Sequence, residues 1–185
     1  LIEITFDQRG APEDTANAIR LVAQNYSGDV CVGAGTVMTT AQLAAAIAAG
    51  ANYIISPNVN LEVIHETKRN GLVSIPGALT PSEIACAHEN GADFVKVFPA
   101  SAMGLEYIKA IRAPVSNIPL LAVGGITEGN IADYMAAGIV GFGIGSNIVK
   151  NQWVQQERYE EITRLAGAYL ASVRQASSVQ LNGVG

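Results

Sequence analysis

The chain has 185 residues, 49% of them hydrophobic and 15% charged, with a formal net charge of −5. That size suits one domain with a sizeable core, and the apolar share argues against disorder. The acidic balance argues against nucleic acid, whose backbone is bound by basic patches, but leaves room for a small phosphorylated metabolite.

No stretch approaches the ~18 uninterrupted apolar residues of a membrane span, and the opening reads as a strand rather than a signal peptide. A cytoplasmic protein with no membrane partner is expected. Cys31 and Cys86 sit in apolar stretches and match no metal-ligand spacing. They read as small core residues in a reducing compartment rather than a disulfide.

In chain order, short apolar runs that read as strands cover residues 1–6, 29–34, 52–56, 72–76, 93–98, 118–123 and 139–144. Alanine-rich helical stretches such as Thr40–Ala49 and Pro81–Asn90 lie between them. Thr39, Thr80 and Thr127 stand where N-caps belong. Gly50-Ala51, Gly91-Ala92 and Gly138-Ile139 stand at helix ends, where the chain often turns left-handed. Trp153 and Tyr159 are expected to anchor the last helix. Residues 1–176 read as one β/α domain and 177–185 as a loose tail.

Strand and helix in regular alternation imply parallel strands joined by crossover helices. An open doubly wound sheet would have apolar strands on both faces, whereas a (β/α)8 barrel admits polar groups near its catalytic end. Glu3 and Thr5 share one face of the first strand, Thr36 follows the second, and Lys96 interrupts Phe94-Val95-Lys96-Val97-Phe98. The barrel is therefore favoured. About seven strands are legible where a barrel closes with about eight, so a first βα unit is expected upstream of Leu1.

In such barrels the chemistry lies at the carboxyl ends of the strands. A lysine flanked by Phe94, Val95, Val97 and Phe98 has difficulty keeping its ammonium hydrated, which lowers its pKa and frees the amine to attack a carbonyl. The alternative is a strand-end lysine whose head snorkels to water. Glu3, between Ile2 and Ile4, is a candidate acid/base for the proton transfers of Schiff-base chemistry. It could equally be a solvent-facing residue of an edge strand. The turns Val123-Gly124-Gly125-Ile126 and Gly143-Ile144-Gly145-Ser146 suit an anion, with backbone N–H groups and a following helix N-terminus as donors. They could also be tight turns only.

Gly141-Phe142-Gly143-Ile144-Gly145 looks like a dinucleotide fingerprint, but its third glycine comes one residue early. His65 and His88 each precede a glutamate in a helical stretch. Neither has a second histidine at helical spacing, so both read as exposed helix residues rather than metal ligands.

Taken together, Glu3-Ile4-Thr5, Gly33-Ala34-Gly35-Thr36, Ser56-Pro57, Ile75-Pro76-Gly77, Lys96-Val97-Phe98-Pro99, Gly124-Gly125-Ile126 and Gly145-Ser146 resemble the KDPG/KHG aldolase family. These are class I aldolases acting on 2-keto-3-deoxy-6-phosphogluconate or 4-hydroxy-2-oxoglutarate. The likeness runs from Leu1 to about Gln175. Phe98-Pro99-Ala100-Ser101-Ala102 with Tyr107-Ile108-Lys109-Ala110 is also similar to the 2-keto-3-deoxy-6-phosphogalactonate branch. The resemblance implies Lys96 as the Schiff-base lysine and Glu3 as the acid/base. It implies that Thr36, Pro76, Gly77 and Phe98 hold the pyruvyl half, and that Gly124, Gly125, Gly145 and Ser146 hold the phosphate. It further implies no metal or organic cofactor and a homotrimer.

Three departures bear on which keto acid is used. Asp7 stands where some members carry a carboxylate-gripping arginine. Other members supply an arginine from the first strand, the unit expected upstream of Leu1. Val123 replaces a threonine often found before the paired glycines. The expected activity is cleavage of a 2-keto-3-deoxy-6-phospho sugar acid to pyruvate and a phosphorylated aldehyde. The alternatives are a barrel transferase or isomerase of a phosphorylated metabolite, and a catalytically silent phosphosugar-binding barrel.

Overall fold

A computed structural model of the chain describes residues 1–26 and 28–182. By internal contacts it comprises two compact units, one from Leu1 to Lys96 and one from Val97 onward.

The first unit runs β1 (Ile2–Thr5), α1 (Pro12–Asn25), β2 (Val32–Gly35), α2 (Thr40–Ala48), β3 (Tyr53–Ile55), α3 (Leu61–Arg69), β4 (Val73–Ile75), β5 (Gly77–Ala78), α4 (Pro81–Glu89) and β6 (Val95–Val97), the last reaching the unit boundary. Strands β1 to β4 are parallel neighbours in sequential order. A doubly wound sheet would reverse its strand order at a switch point, whereas sequential winding belongs to the (β/α) barrel class. The expected strand over 72–76 ends at Ile75 because Pro76 has no N–H for the ladder. The backbone resumes as β5 at Gly77, which passes so close to residue 57 that a Cβ would lie 2.6 Å from the Pro57 carbonyl carbon.

The strands alternate strictly. Val32, Ala34 and Ile54 are buried with Phe6, Ile19, Leu43, Ala46 and Val63 in one core under the helices. The residues between them (Glu3 and Thr5, Gly33 and Gly35, Tyr53 and Ile55) belong to the opposite face. The helices start where local chemistry places them. Thr39 with Gln42, and Thr80 with Glu83, form reciprocal capping boxes, and Asn60 caps α3. Each cap stabilises its helix by about 1 kcal/mol. At the expected helix ends, Gly50 and Gly91 take φ values of 95° and 98°.

The second unit contains α5 (Ala100–Arg112), β7 (Leu120–Val123), α6 (Ile131–Ala136), β8 (Gly141–Gly143), α7 (Asn151–Gln155) and α8 (Tyr159–Asn182). β7 and β8 pair in parallel, and α8 packs on α6 and α7. The last helix is anchored by Tyr169, buried with its hydroxyl donating to the Ile126 carbonyl at 3.3 Å. Tyr159, expected in that role, is 57% exposed. Trp153 is half-buried in α7, with the Lys150 ammonium 4.4 Å from its ring centroid.

Other expectations shift for local reasons. Thr127 does not cap α6. Asn130 holds the N-cap position without a side-chain cap hydrogen bond; its side chain instead accepts from the Thr127 N–H and donates to the Gly125 carbonyl. Both cysteines are free thiols, but Cys31 is exposed at the entry to β2 and Cys86 is half-buried. His65 is exposed, whereas His88 is half-buried with a shielded Nδ1. Of the expected tail, residues 177–182 fall within α8 and residues 183–185 lie outside the described residues.

Candidate active site

Lys96 is the central residue of β6, whose neighbours Val95 and Val97 are fully buried, and is itself only 7% exposed. Its backbone N–H donates to the Pro76 carbonyl at 2.9 Å, so the break between β4 and β5 supplies the acceptor that fixes the lysine's strand. Burial pushes the Lys96 ammonium below the ordinary lysine range, and the carboxylate of Glu3 partly opposes that shift. The snorkelling alternative does not describe this residue.

Glu3 lies on β1 in register with Gly33 of β2, two residue pairs before Thr5 and Gly35. Its side chain leans along the strand until the carboxyl rests on Gly35, in the space a Cβ there would take. Much of the residue is open to solvent. Even so, partial burial of the carboxyl raises its pKa, with Lys96 pulling it down. The two groups thus act on each other, each shifted by burial toward its neutral form and by its partner toward its charged form.

Tyr53, in register with Gly33 from the other side, lays its buried ring over that glycine. Its phenol is held well above the ordinary tyrosine range by burial first and by Glu3 second. Thr36 follows β2 directly after Gly35 and takes a left-handed φ of 54°. Pro76 and Gly77 are buried at the β4–β5 break. Among the described residues, no group of three His, Cys, Asp or Glu side chains is arranged to hold a metal ion.

In the second unit Phe98, Gly124, Gly125, Gly145 and Ser146 line one cavity of about 240 Å³. The expected anion residues and Phe98 are therefore brought together. Gly124 and Gly125 take φ values of 94° and 72°, and their loop is closed by the Gly124 carbonyl accepting from Ser101 N–H at 3.2 Å. The Asn147 side chain joins the two loops by donating to the Ile126 carbonyl at 2.6 Å. No long helix begins at either turn. α6 starts at Ile131 and α7 at Asn151, both short, so the available donors are loop N–H groups and the Ser146 hydroxyl. Asn130 and Asn147 carry no sequence signal beyond being asparagines near glycine turns.

A lysine buried on a strand of a β/α barrel, paired electrostatically with a carboxylate, defines a protein able to present a neutral amine to a carbonyl compound. The chain matches the family described as KDPG and KHG aldolase over residues 1–165. It is 45% identical over 138 residues to a probable 2-dehydro-3-deoxy-6-phosphogalactonate aldolase of Rhizobium meliloti, a match covering 74% of this chain and 65% of that protein. Among solved structures it resembles a native KDPGal structure, with a TM-score of 0.84 and 34% identity over 95% of this chain and 82% of that one. It also resembles KDPG aldolase from Legionella pneumophila with pyruvate captured as a covalent carbinolamine, with a TM-score of 0.79 and 29% identity over 89% and 78% of the two chains. The chain belongs to the KDPG and KHG aldolase family, whose members are aldehyde-lyases with the (β/α) barrel fold.

Proposed function

We propose that this chain is a class I aldolase that cleaves a 2-keto-3-deoxy-6-phospho sugar acid to pyruvate and a phosphorylated aldehyde. The observation that carries the reading is Lys96, almost fully buried, its pKa lowered by desolvation, and coupled electrostatically to Glu3. The capture of pyruvate as a carbinolamine in the Legionella relative supports it.

The neutral Lys96 Nζ attacks the C2 carbonyl to give a carbinolamine, and loss of water leaves an iminium that withdraws electrons from C3. Removal of the C4 hydroxyl proton breaks the C3–C4 bond. The electron pair enters the iminium as an enamine, and the phosphorylated aldehyde departs. Protonation of the enamine at C3 and addition of water release pyruvate and restore the amine. Glu3, with its pKa raised, is suited to carry these protons, directly or through a water molecule. The Gly124-Gly125 and Gly145-Ser146 cavity is assigned to the substrate phosphate. Thr36, Pro76, Gly77 and Phe98 are assigned to the pyruvyl half.

The family likeness supports a cytoplasmic homotrimer that needs no cofactor. Among the described residues no helix is long and apolar enough to cross a membrane.

The test is borohydride reduction in the presence of pyruvate. One lysine should gain a reduced pyruvyl group, mapped to Lys96, and Lys96→Ala should abolish both adduct and turnover. A fully active Lys96→Ala protein would overturn the assignment.

A further inference from the structure

The turn after β2 holds a β-branched residue, Thr36, at φ 54°, a backbone region such residues avoid unless their surroundings impose it. Two glutamine side chains reach its carbonyl in series. The Gln42 Oε1 accepts from the backbone N–H of Met38 at 2.8 Å and of Thr39 at 3.3 Å, which fixes the orientation of its amide. Its Nε2 therefore faces outward and donates to the Gln8 Oε1 at 3.1 Å. That in turn fixes the Gln8 amide, whose Nε2 donates to the Thr36 carbonyl at 3.0 Å and reaches the Phe6 carbonyl at 3.4 Å.

The relay crosses from the loop after β1 to the start of α2. Beside it, Phe6 N–H donates to the Gly35 carbonyl at 2.9 Å. Gly35 is the residue on which the Glu3 carboxyl rests. The relay thus braces the peptide that supports Glu3 and the strained residue next to it. Gln42 is nearly buried, so its amide cannot readily exchange this partner for water.

We propose that Gln8 and Gln42 are positioning residues that hold the Gly35-Thr36 turn in its left-handed form, and thereby set how tightly the site takes a 2-keto acid. The proposal rests on the assignment of Glu3 and Thr36 given above. Neither glutamine touches the keto acid on this reading.

Gln42→Glu separates the relay from the helix cap. A glutamate still accepts from Met38 and Thr39 N–H, as Glu83 does for Leu79 and Thr80 in α4, but its carboxylate cannot donate to Gln8. If Gln8 flips to donate to the new carboxylate, it turns an oxygen toward the Thr36 carbonyl and loses that bond; if it does not flip, its Oε1 faces a carboxylate oxygen and is repelled, so the brace on Thr36 is weakened in both cases. Gln8→Ala removes the same bond from an exposed loop with little threat to folding.

The measurement is the pyruvate concentration that half-saturates borohydride trapping at Lys96, read with the thermal midpoint. Both variants should need about tenfold more pyruvate, the scale of one lost hydrogen bond, while their maximal labelling stays near that of the unsubstituted protein. A lowered midpoint with unchanged pyruvate dependence in both variants would mean a purely structural role and overturn the proposal alone. Absence of any Lys96 adduct in the unsubstituted protein would overturn the Schiff-base reading, and the proposal with it.

Discussion

The Glu3 carboxyl rests on Gly35, in the space that any larger residue at 35 would fill with its Cβ. Gly35 has no left-handed backbone requirement, so alanine suits the strand, and it is the Glu3 side chain that must move. Gly35→Ala should therefore fold normally and lose turnover by ~10²–10⁴, the contribution of a positioned acid/base. Glu3→Gln should lose a similar factor. Steady-state kinetics beside a circular dichroism melt checks this. A Gly35→Ala protein with full turnover would show that the carboxyl works from another position.

The anion cavity is tested most cleanly at Gly145. A Cβ there meets nothing within 4 Å, so a side chain enters the cavity without backbone strain. Gly125 is unsuitable. Its φ is 72° and a Cβ would strike the Ser101 side chain, so any substitution disturbs the loop itself. Gly145→Val should raise KM for a phosphorylated substrate on the order of tenfold to a hundredfold, the scale of losing hydrogen bonds to a charged group. It should leave pyruvate trapping at Lys96 intact. Inorganic phosphate should compete with substrate in the unsubstituted protein and less so in the variant.

Tyr169→Phe probes how the last helix is secured. The substitution removes one buried hydroxyl and leaves the Ile126 carbonyl without that donor. A loss of about 1 kcal/mol in unfolding free energy is expected, measured by urea denaturation. Tyr159→Phe, at an exposed position, should be neutral within error.

Much of this architecture is legible in the residues because period-2 strands and capped helices leave local marks. Thr39 followed by Gln42 and Thr80 followed by Glu83 announce their helices in the sequence. Lys96 stands out because a charge between valines has few explanations. What stays hidden depends on long-range geometry. Gln8 and Gln42 are separated by 34 positions, and neither residue type suggests a shared network until the fold joins them. α6 begins at Ile131, three residues later than Thr127 suggests, because Thr127 is held in the preceding turn by the Asn130 side chain. Cys31 looks buried from its apolar neighbours, yet it sits just before β2 begins and faces solvent.

The central prediction joins the pH dependence of activity to that of stability through Lys96. Turnover requires the neutral amine, so activity should fall as the solution is acidified through the lowered pKa of Lys96. Burial sets that pKa below the ordinary lysine value of about 10.4. The same shift acts on folding. Between the lowered folded-state pKa and the ordinary unfolded-state value, the unfolded chain binds more protons than the folded one, so this lysine makes stability rise with pH across that window. Its destabilising contribution is fully present below the folded-state pKa and vanishes above the unfolded-state value. Lys96→Met keeps the length of the side chain and removes the charge. It should therefore be inactive yet melt higher than the unsubstituted protein near neutral pH, with the difference shrinking as pH rises toward 10. Lys96→Arg should be inactive too, because a guanidinium does not give up its proton. It should melt lower, since the charge then stays buried at every pH. Thermal melts of the three proteins across pH 6 to 10 decide the matter. A Lys96→Met protein no more stable than the unsubstituted one at neutral pH would mean that the Lys96 ammonium is not held at a disadvantage in the fold.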